Sequence, residues 1–215
     1  MERNDEAQSA PVAATPQQAE DTQSRWGWVE RAVWTERMLT RLTSGESADR
    51  VWFALADKTY APANLQSAFH KVWRNGGSAG ADAQTVGHFA RYAGEELSRL
   101  AEQLHEGTYR PQPVRRASIP KPGSTDKRPL GIPAVRDRIV QGALRQVLEP
   151  IFEAEFAGHS YGFRPGRGAK DALRRVDPLL KAGHAWVVDA DLKSYLDPCS
   201  YYTLAAAGGS KSCGW

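Results

Sequence analysis

The chain has 215 residues, 41% hydrophobic and 25% charged, with a formal net charge of +3, enough for one or two domains with a real core. No apolar run approaches a membrane span, and the polar start Met1 to Gln8 lacks the basic-then-apolar order of a signal peptide. The two cysteines, Cys199 and Cys213, make a secreted disulfide framework a poor fit and a reducing cytoplasm a better one.

Residues 1–24 carry five acidic and one basic side chain, have little to bury and read as a disordered acidic N-terminus. Trp26 and Trp28 open the packed region. Glu30 to Leu42 places Val33, Trp34, Met38 and Leu42 at helical spacing. Asp49 to Lys58 predicts a short second helix. Ala63 to Arg74 predicts a third, with Leu65, Phe69, Val72 and Trp73 inward, stopped by Asn75-Gly-Gly77. A loop at Ser78 to Asp82 precedes a long helix from about Thr85 to His105, weakened at Gly94.

The pattern then changes. Pro113 to Pro120 and Arg128 to Pro133 read as short extended segments around the polar loop Lys121 to Lys127, a hairpin with prolines suited to an edge. Arg136 to Phe156 predicts an amphipathic helix, with Ile139, Val140, Ala143, Leu144, Val147, Leu148, Ile151 and Phe152 inward and a kink at Pro150. His159 to Gly168 is a tight basic loop. Ala169 to Lys181 returns to helix, with Ala172, Leu173, Val176 and Leu180 on its buried side. Ala185 to Asp191 has the texture of a strand. The last stretch, from Pro198, has no useful periodicity.

Charge is distributed unevenly. Residues 110–175 hold fourteen basic and six acidic side chains, and eleven of the basic ones are Arg. Arg grips phosphate through a bidentate fork, so a concentrated Arg field reads as a nucleic-acid surface; a solvated charged face is the bland alternative. Within this field lies Tyr161-Gly-Phe-Arg-Pro-Gly-Arg-Gly168. Its aromatics and Arg residues can stack bases and hold phosphates, or the rings can plug a core beneath a turn.

Two further features bear on chemistry. Asp189 and Asp191 are two apart, so on a strand they share a face and can grip a cation, or simply form a turn. Lys121 and Arg128 bracket the hairpin tip, where two cations can close over a triphosphate or serve only solubility. His70, His88, His105, His159 and His184 are scattered without partners at ligand spacing.

These segments, in this order and spacing, resemble the reverse transcriptase domain of bacterial group II intron reverse transcriptase/maturases. Arg128-Pro-Leu-Gly-Ile-Pro133, with Gln141 and Leu148-Glu-Pro-Ile-Phe152, is similar to the first block of that family. Ser160-Tyr-Gly-Phe-Arg-Pro-Gly-Arg167, with Ala169 to Ala172, is similar to the second. Trp186-Val-Val-Asp-Ala-Asp-Leu-Lys-Ser-Tyr195 is similar to the third, the catalytic strand of the palm. Residues from about Val33 to Tyr109 resemble the family's N-terminal extension.

The resemblance implies an α+β fold, a partial right-hand polymerase with an incomplete palm and no thumb. Residues 25–110 would be the helical extension, 111–197 the fingers and start of the palm, and 198–215 an aberrant tail. Asp191 matches the first metal-binding and catalytic Asp. Lys121, Arg128, Leu192 and Leu196 match nucleotide-binding positions; Leu196 stands where the family usually carries a Phe steric gate. Arg136, Arg138, Tyr161, Phe163, Arg164 and Arg167 are the RNA-binding candidates.

Mg2+ is the family's cofactor. Group II intron RNA, template RNA and a DNA primer are its partners, with no membrane partner and a cytoplasmic location. The Ala-Asp-Asp turn that supplies the other metal ligands is not in this sequence, and one Asp cannot hold two magnesium ions about 4 Å apart. The expected function is therefore a fragment of a group II intron RNA-directed DNA polymerase/maturase that binds intron RNA without polymerising alone. The alternatives are a non-catalytic RNA-binding protein and a non-functional remnant of a decayed reading frame.

Overall fold

Pro62 in the first turn and Gly76 just past the last turn bracket a helix at Pro62–Asn75. Proline's missing N–H costs nothing at a helix start, and Gly76, at φ 62°, takes the left-handed conformation that closes the end. The computed structural model in which this is seen describes residues 24–44 and 54–190, except Lys121, Ser124 and Asp126. In chain order its elements are α1 (Glu36–Thr43), α2 (Leu55–Tyr60), α3 (Pro62–Asn75), α4 (Val86–Arg91) and α5 (Ala93–His105). There follow β1 (Arg115–Pro120), β2 (Lys127–Ile132), α6 (Val135–Glu155) and α7 (Ala169–Lys181).

The chain divides into two compact units, Met1–Ala157 and Gly158–Trp215. In the first, α6 is the spine. Its first half sends Val135, Ile139, Val140 and Ala143 into a core with Leu65, Ala68 and Phe69 of α3, Val86 and Phe89 of α4 and Leu100 of α5. Further along, Val147 joins a second core of Trp26, Val29, Val33, Trp34, Leu39 and Leu42. The α3–α6 contact is the most extensive between helices. Gly142 permits it, since a Cβ there would meet Ala68 Cβ at 3.4 Å.

Several expectations need correction. The first predicted helix begins at Glu36, because Glu30 to Trp34 folds into turns, with Val33 and Trp34 N–H groups both donating to the Glu30 carbonyl. The long helix breaks at Tyr92 (φ −119°, ψ 22°) into α4 and α5; Gly94 sits two residues on, in the first turn of α5. Trp73, expected inside, is exposed.

Both long amphipathic helices also bury less than their period promised. Leu144, Leu148 and Phe152 of α6 are exposed, because the two cores use the Ile139–Ala143–Val147 side. In the second unit Leu173, Val176 and Leu180 of α7 are exposed as well.

The sheet is a two-stranded antiparallel hairpin, with Arg115 opposite Ile132 and Pro120 opposite Lys127. Among the described residues it is the only sheet. The strand expected from Ala185 is not formed as far as Ala190. A strand needs a hydrogen-bonded neighbour, and Trp186, Val187 and Val188 have none; they are 97%, 81% and 92% exposed. Asp191 and the residues after it lie outside the described part. No helix among the described residues is long and apolar enough to cross a membrane.

Candidate nucleic-acid interface

The hairpin is exposed on both faces. Opposed residues in an antiparallel pair share a face, and successive residues alternate. Arg116, Ser118 and Pro120 therefore stand with Gly131, Pro129 and Lys127, while Arg115, Ala117 and Ile119 stand with Ile132, Leu130 and Arg128. Arg116, Lys127 and Arg128 are exposed and make no ion pair among the described residues. Lys121, at the tip, lies outside the described residues.

Arg115 does a different job. Its Nε donates to the Ala79 carbonyl at 2.9 Å. Arg138 collects three more carbonyls: Pro133 at 3.1 Å, Gly76 at 3.3 Å and Ser78. The loop after α3 is thus stitched by its carbonyls to the base of the hairpin and the start of α6. Gly80 allows the approach. A Cβ there would lie 2.5 Å from Ala134 Cα, closer than side-chain atoms ever sit to backbone. So Arg138, an RNA-binding candidate by sequence, has its guanidinium committed to this joint.

Arg136 is also held. Its Nη2 donates to Gln103 Oε1 at 2.8 Å, and its guanidinium sits 5.3 Å from the Tyr109 ring centroid. The adjacent Asp137, 3% exposed, accepts from the Tyr109 hydroxyl at 2.6 Å and from the Gln112 N–H at 2.9 Å. Burial, then the hydrogen bond to Asp137, push the Tyr109 hydroxyl well above its ordinary pKa. This cluster fixes the chain entering β1, and with it the position of the hairpin.

In the second unit the loop before α7 folds around arginines. Arg164 Nη1 donates to the Ser160 carbonyl at 2.9 Å, and Arg164 is buried. Arg167 Nη1 reaches the Gly158 and Ser160 carbonyls, and its guanidinium lies 5.9 Å from the Tyr161 ring centroid. Tyr161 is half-buried. Phe163 is fully exposed at φ 56°, where bulky side chains are rare. Asp171 closes the loop by accepting from the Gly168 N–H at 2.9 Å.

The structure thus separates the candidates. Phe163 and Arg128 face solvent, whereas Arg136, Arg138, Arg164 and Arg167 bond to the protein itself. Arg116 and Lys127 stand on one hairpin face, a pairing that strand register alone reveals. Asp191, Leu192 and Leu196 lie outside the described residues. Among those described, no group of three or more His, Cys, Asp or Glu could hold a metal, and Asp189 is exposed. These donors do not make a two-ion site.

No family model matches the chain. Similar proteins are nonetheless found. The chain is 34% identical over 174 residues to the group II intron-encoded protein LtrA of Lactococcus lactis subsp. cremoris, covering 79% of this chain and 28% of LtrA. It is 46% identical over 116 residues to protein YkfC of Escherichia coli (strain K12), covering 52% of this chain and 30% of YkfC. It is 47% identical over 62 residues to nuclear intron maturase 2, mitochondrial, of Arabidopsis thaliana, 29% of this chain and 8% of that protein. The chain therefore spans under a third of the length of the relatives it matches.

Proposed function

Because the chain is a homologue of the group II intron-encoded proteins, we propose that it is a fragment of a reverse transcriptase/maturase and that its role is to bind intron RNA. The observation that carries this is the two-faced hairpin, with Arg116, Lys127 and Arg128 exposed and unpaired among the described residues. A solvent-facing ribbon of cations is suited to phosphate, and each phosphate neutralised releases counterions. Phe163 adds an exposed ring on which a base can stack.

In this reading the helices before β1 are the family's N-terminal extension, and the hairpin with α6 forms the fingers of a partial right-hand polymerase. RNA-templated synthesis from a DNA primer, with Mg2+ held through Asp191 and nucleotide held by Lys121, Arg128, Leu192 and Leu196, belongs to the intact protein class. The 215 residues contain no Tyr- or Phe-Ala-Asp-Asp turn, so primer extension is not expected of them alone.

The test is binding of a labelled group II intron transcript by the purified chain across a salt series. Affinity should fall linearly on a logarithmic salt scale, and replacing Arg116, Lys127 and Arg128 with Ala together should flatten that slope. No binding at low salt would end the reading. A second reading, a non-functional remnant, would then stand.

A further inference from the structure

A cavity of about 500 Å³ opens on the first unit where α4, α5 and the start of α6 meet. Asp82, Gln84, His88, Glu96, Gln112 and Arg136 line it. The hairpin and the Phe163 loop contribute nothing to it. Three properties of its wall point to a ligand.

First, Arg136 is built in but incompletely satisfied. Its Nη2 is fixed on Gln103 and its guanidinium lies against Tyr109, while its Nε is buried with no hydrogen-bond partner among the described residues. The nearest acceptor, Asp137 Oδ1, is 3.9 Å away, beyond hydrogen-bonding reach. A buried N–H left this way costs about 1–3 kcal/mol, which an acceptor supplied by a ligand would recover. Second, the side chains of Gln84, His88 and Gln112 make no hydrogen bond among the described residues. Third, Asp82 and Glu96 bring two carboxylates into the same cavity, where Arg99 pairs with Glu96 at 3.5 Å.

Each property narrows the class. Two carboxylates disfavour a polyphosphate or an acidic peptide. They accept from N–H groups, so they favour a ligand with an amino edge. Amide side chains suit a mixed donor–acceptor edge, and a flat His88 ring suits a flat partner. The volume is within the range for small-molecule sites, roughly 300–1,000 Å³. A single phosphate or ribose oxygen would meet the Arg136 edge.

We propose that this cavity takes one unstacked nucleotide of single-stranded RNA whose base carries an exocyclic amino group, adenine or cytosine rather than uracil. This deepens the RNA-binding reading above and rests on it. Asp82 and Glu96 read the amino group, Gln84 and Gln112 the ring edge, and Arg136 the backbone oxygen.

The experiment is fluorescence anisotropy at low salt with short oligo(A), oligo(C) and oligo(U), run on the wild type, Asp82→Asn and Glu96→Gln. In parallel, hydrogen exchange over residues 82–88 is followed with AMP, CMP and UMP. The wild type should bind oligo(A) and oligo(C) about fivefold more tightly than oligo(U), the discrimination expected of one good base contact. Both variants should lose that preference without losing affinity for oligo(U). A purely electrostatic role for the carboxylates would shift all three oligomers equally and overturn the proposal. So would RNA binding without base preference in the wild type, which leaves the RNA-binding reading intact. Protection of residues 82–88 by AMP and CMP but not UMP, with no RNA binding, would sustain the pocket and remove its RNA context. Failure of both arms would remove both.

Discussion

Gln146 donates from Nε2 to Asn64 Oδ1 at 2.6 Å across the α3–α6 contact, joining residues 82 positions apart. Asn64 is fully buried and spends its own amide on the carbonyls of Lys58, at 2.9 Å, and Ala143, at 3.2 Å. The Gln146 backbone carbonyl accepts from Trp34 Nε1 at 3.0 Å, and its Oε1 receives Ser67 at 3.2 Å and also Lys71. One polar knot thus ties α2, α3, α6 and the segment before α1, between the two apolar cores.

Breaking either side of this knot strands buried partners. Asn64→Ala and Gln146→Leu should each cost about 1–3 kcal/mol in urea unfolding, the usual cost of buried groups left unsatisfied. The double variant should cost less than the sum of the two, because the second change removes a group already orphaned. Additive losses would show that the two side chains act independently.

Gly80 carries a different load. A methyl group there would press into the backbone of Pro133 and Ala134, at 2.5 to 2.9 Å, and backbone cannot swing aside as a side-chain tip can. Gly80→Ala should destabilise by about 1–3 kcal/mol, as overpacking does. It should also raise hydrogen exchange in β1 and β2, since Arg115 and Arg138 bind the same loop to the hairpin base. An unchanged unfolding midpoint would mean that the loop moves freely off α6.

The extent to which sequence disclosed this fold follows from where periodicity carries information. The helix at Pro62–Asn75 was legible because a stripe and two end signals agreed. The hairpin was legible because proline-flanked extended runs surround a polar loop. Burial was overread on α6 and α7. Leu144, Leu148 and Phe152 repeat every fourth residue just as the buried Ile139, Ala143 and Val147 do. Period reports that a stripe exists, not whether another element covers it. Arg138 shows the same limit for charge. Composition counts it as a phosphate ligand, whereas three carbonyls from segments far apart in sequence claim it in space.

Tyr109 gives a pH signature. Its hydroxyl is held above the ordinary tyrosine pKa of about 10 by burial and by Asp137. A raised folded pKa means stability is fully present below the unfolded value and is lost as pH rises from there toward the folded value. Urea midpoints should therefore hold steady from pH 8 to about 10 and fall above it. In Tyr109→Phe the part of that fall due to this residue should be absent, while stability at pH 8 drops through the lost hydrogen bond. Identical alkaline limbs in the two proteins would contradict the buried Tyr109–Asp137 pair.

Phe163 and the hairpin cations should separate in binding experiments. Phe163→Ala removes a fully exposed ring, so the unfolding midpoint should not fall, and relief of the positive φ (56°) can only raise it slightly. RNA affinity should drop about tenfold with the salt slope unchanged, since stacking is not a counterion effect. Arg128→Ala should instead reduce the slope by about one and weaken all sequences alike. If Phe163→Ala changed the slope, or Arg128→Ala left it untouched, the division between base stacking and phosphate contact would be wrong.

The uncovered stripe on α6 makes the last prediction. Leu144, Leu148 and Phe152 present a continuous apolar edge, with Phe152 52% exposed. Water contact with such a stripe favours self-association, and a charge placed in it opposes association. Leu148→Lys should shift the purified chain toward monomer in sedimentation velocity, with little change in the unfolding midpoint, because Leu148 is 37% exposed and lies outside both apolar cores. Equal association in the two proteins would place the sticky surface elsewhere, and the exposed run Trp186 to Val188 would be the next segment to charge.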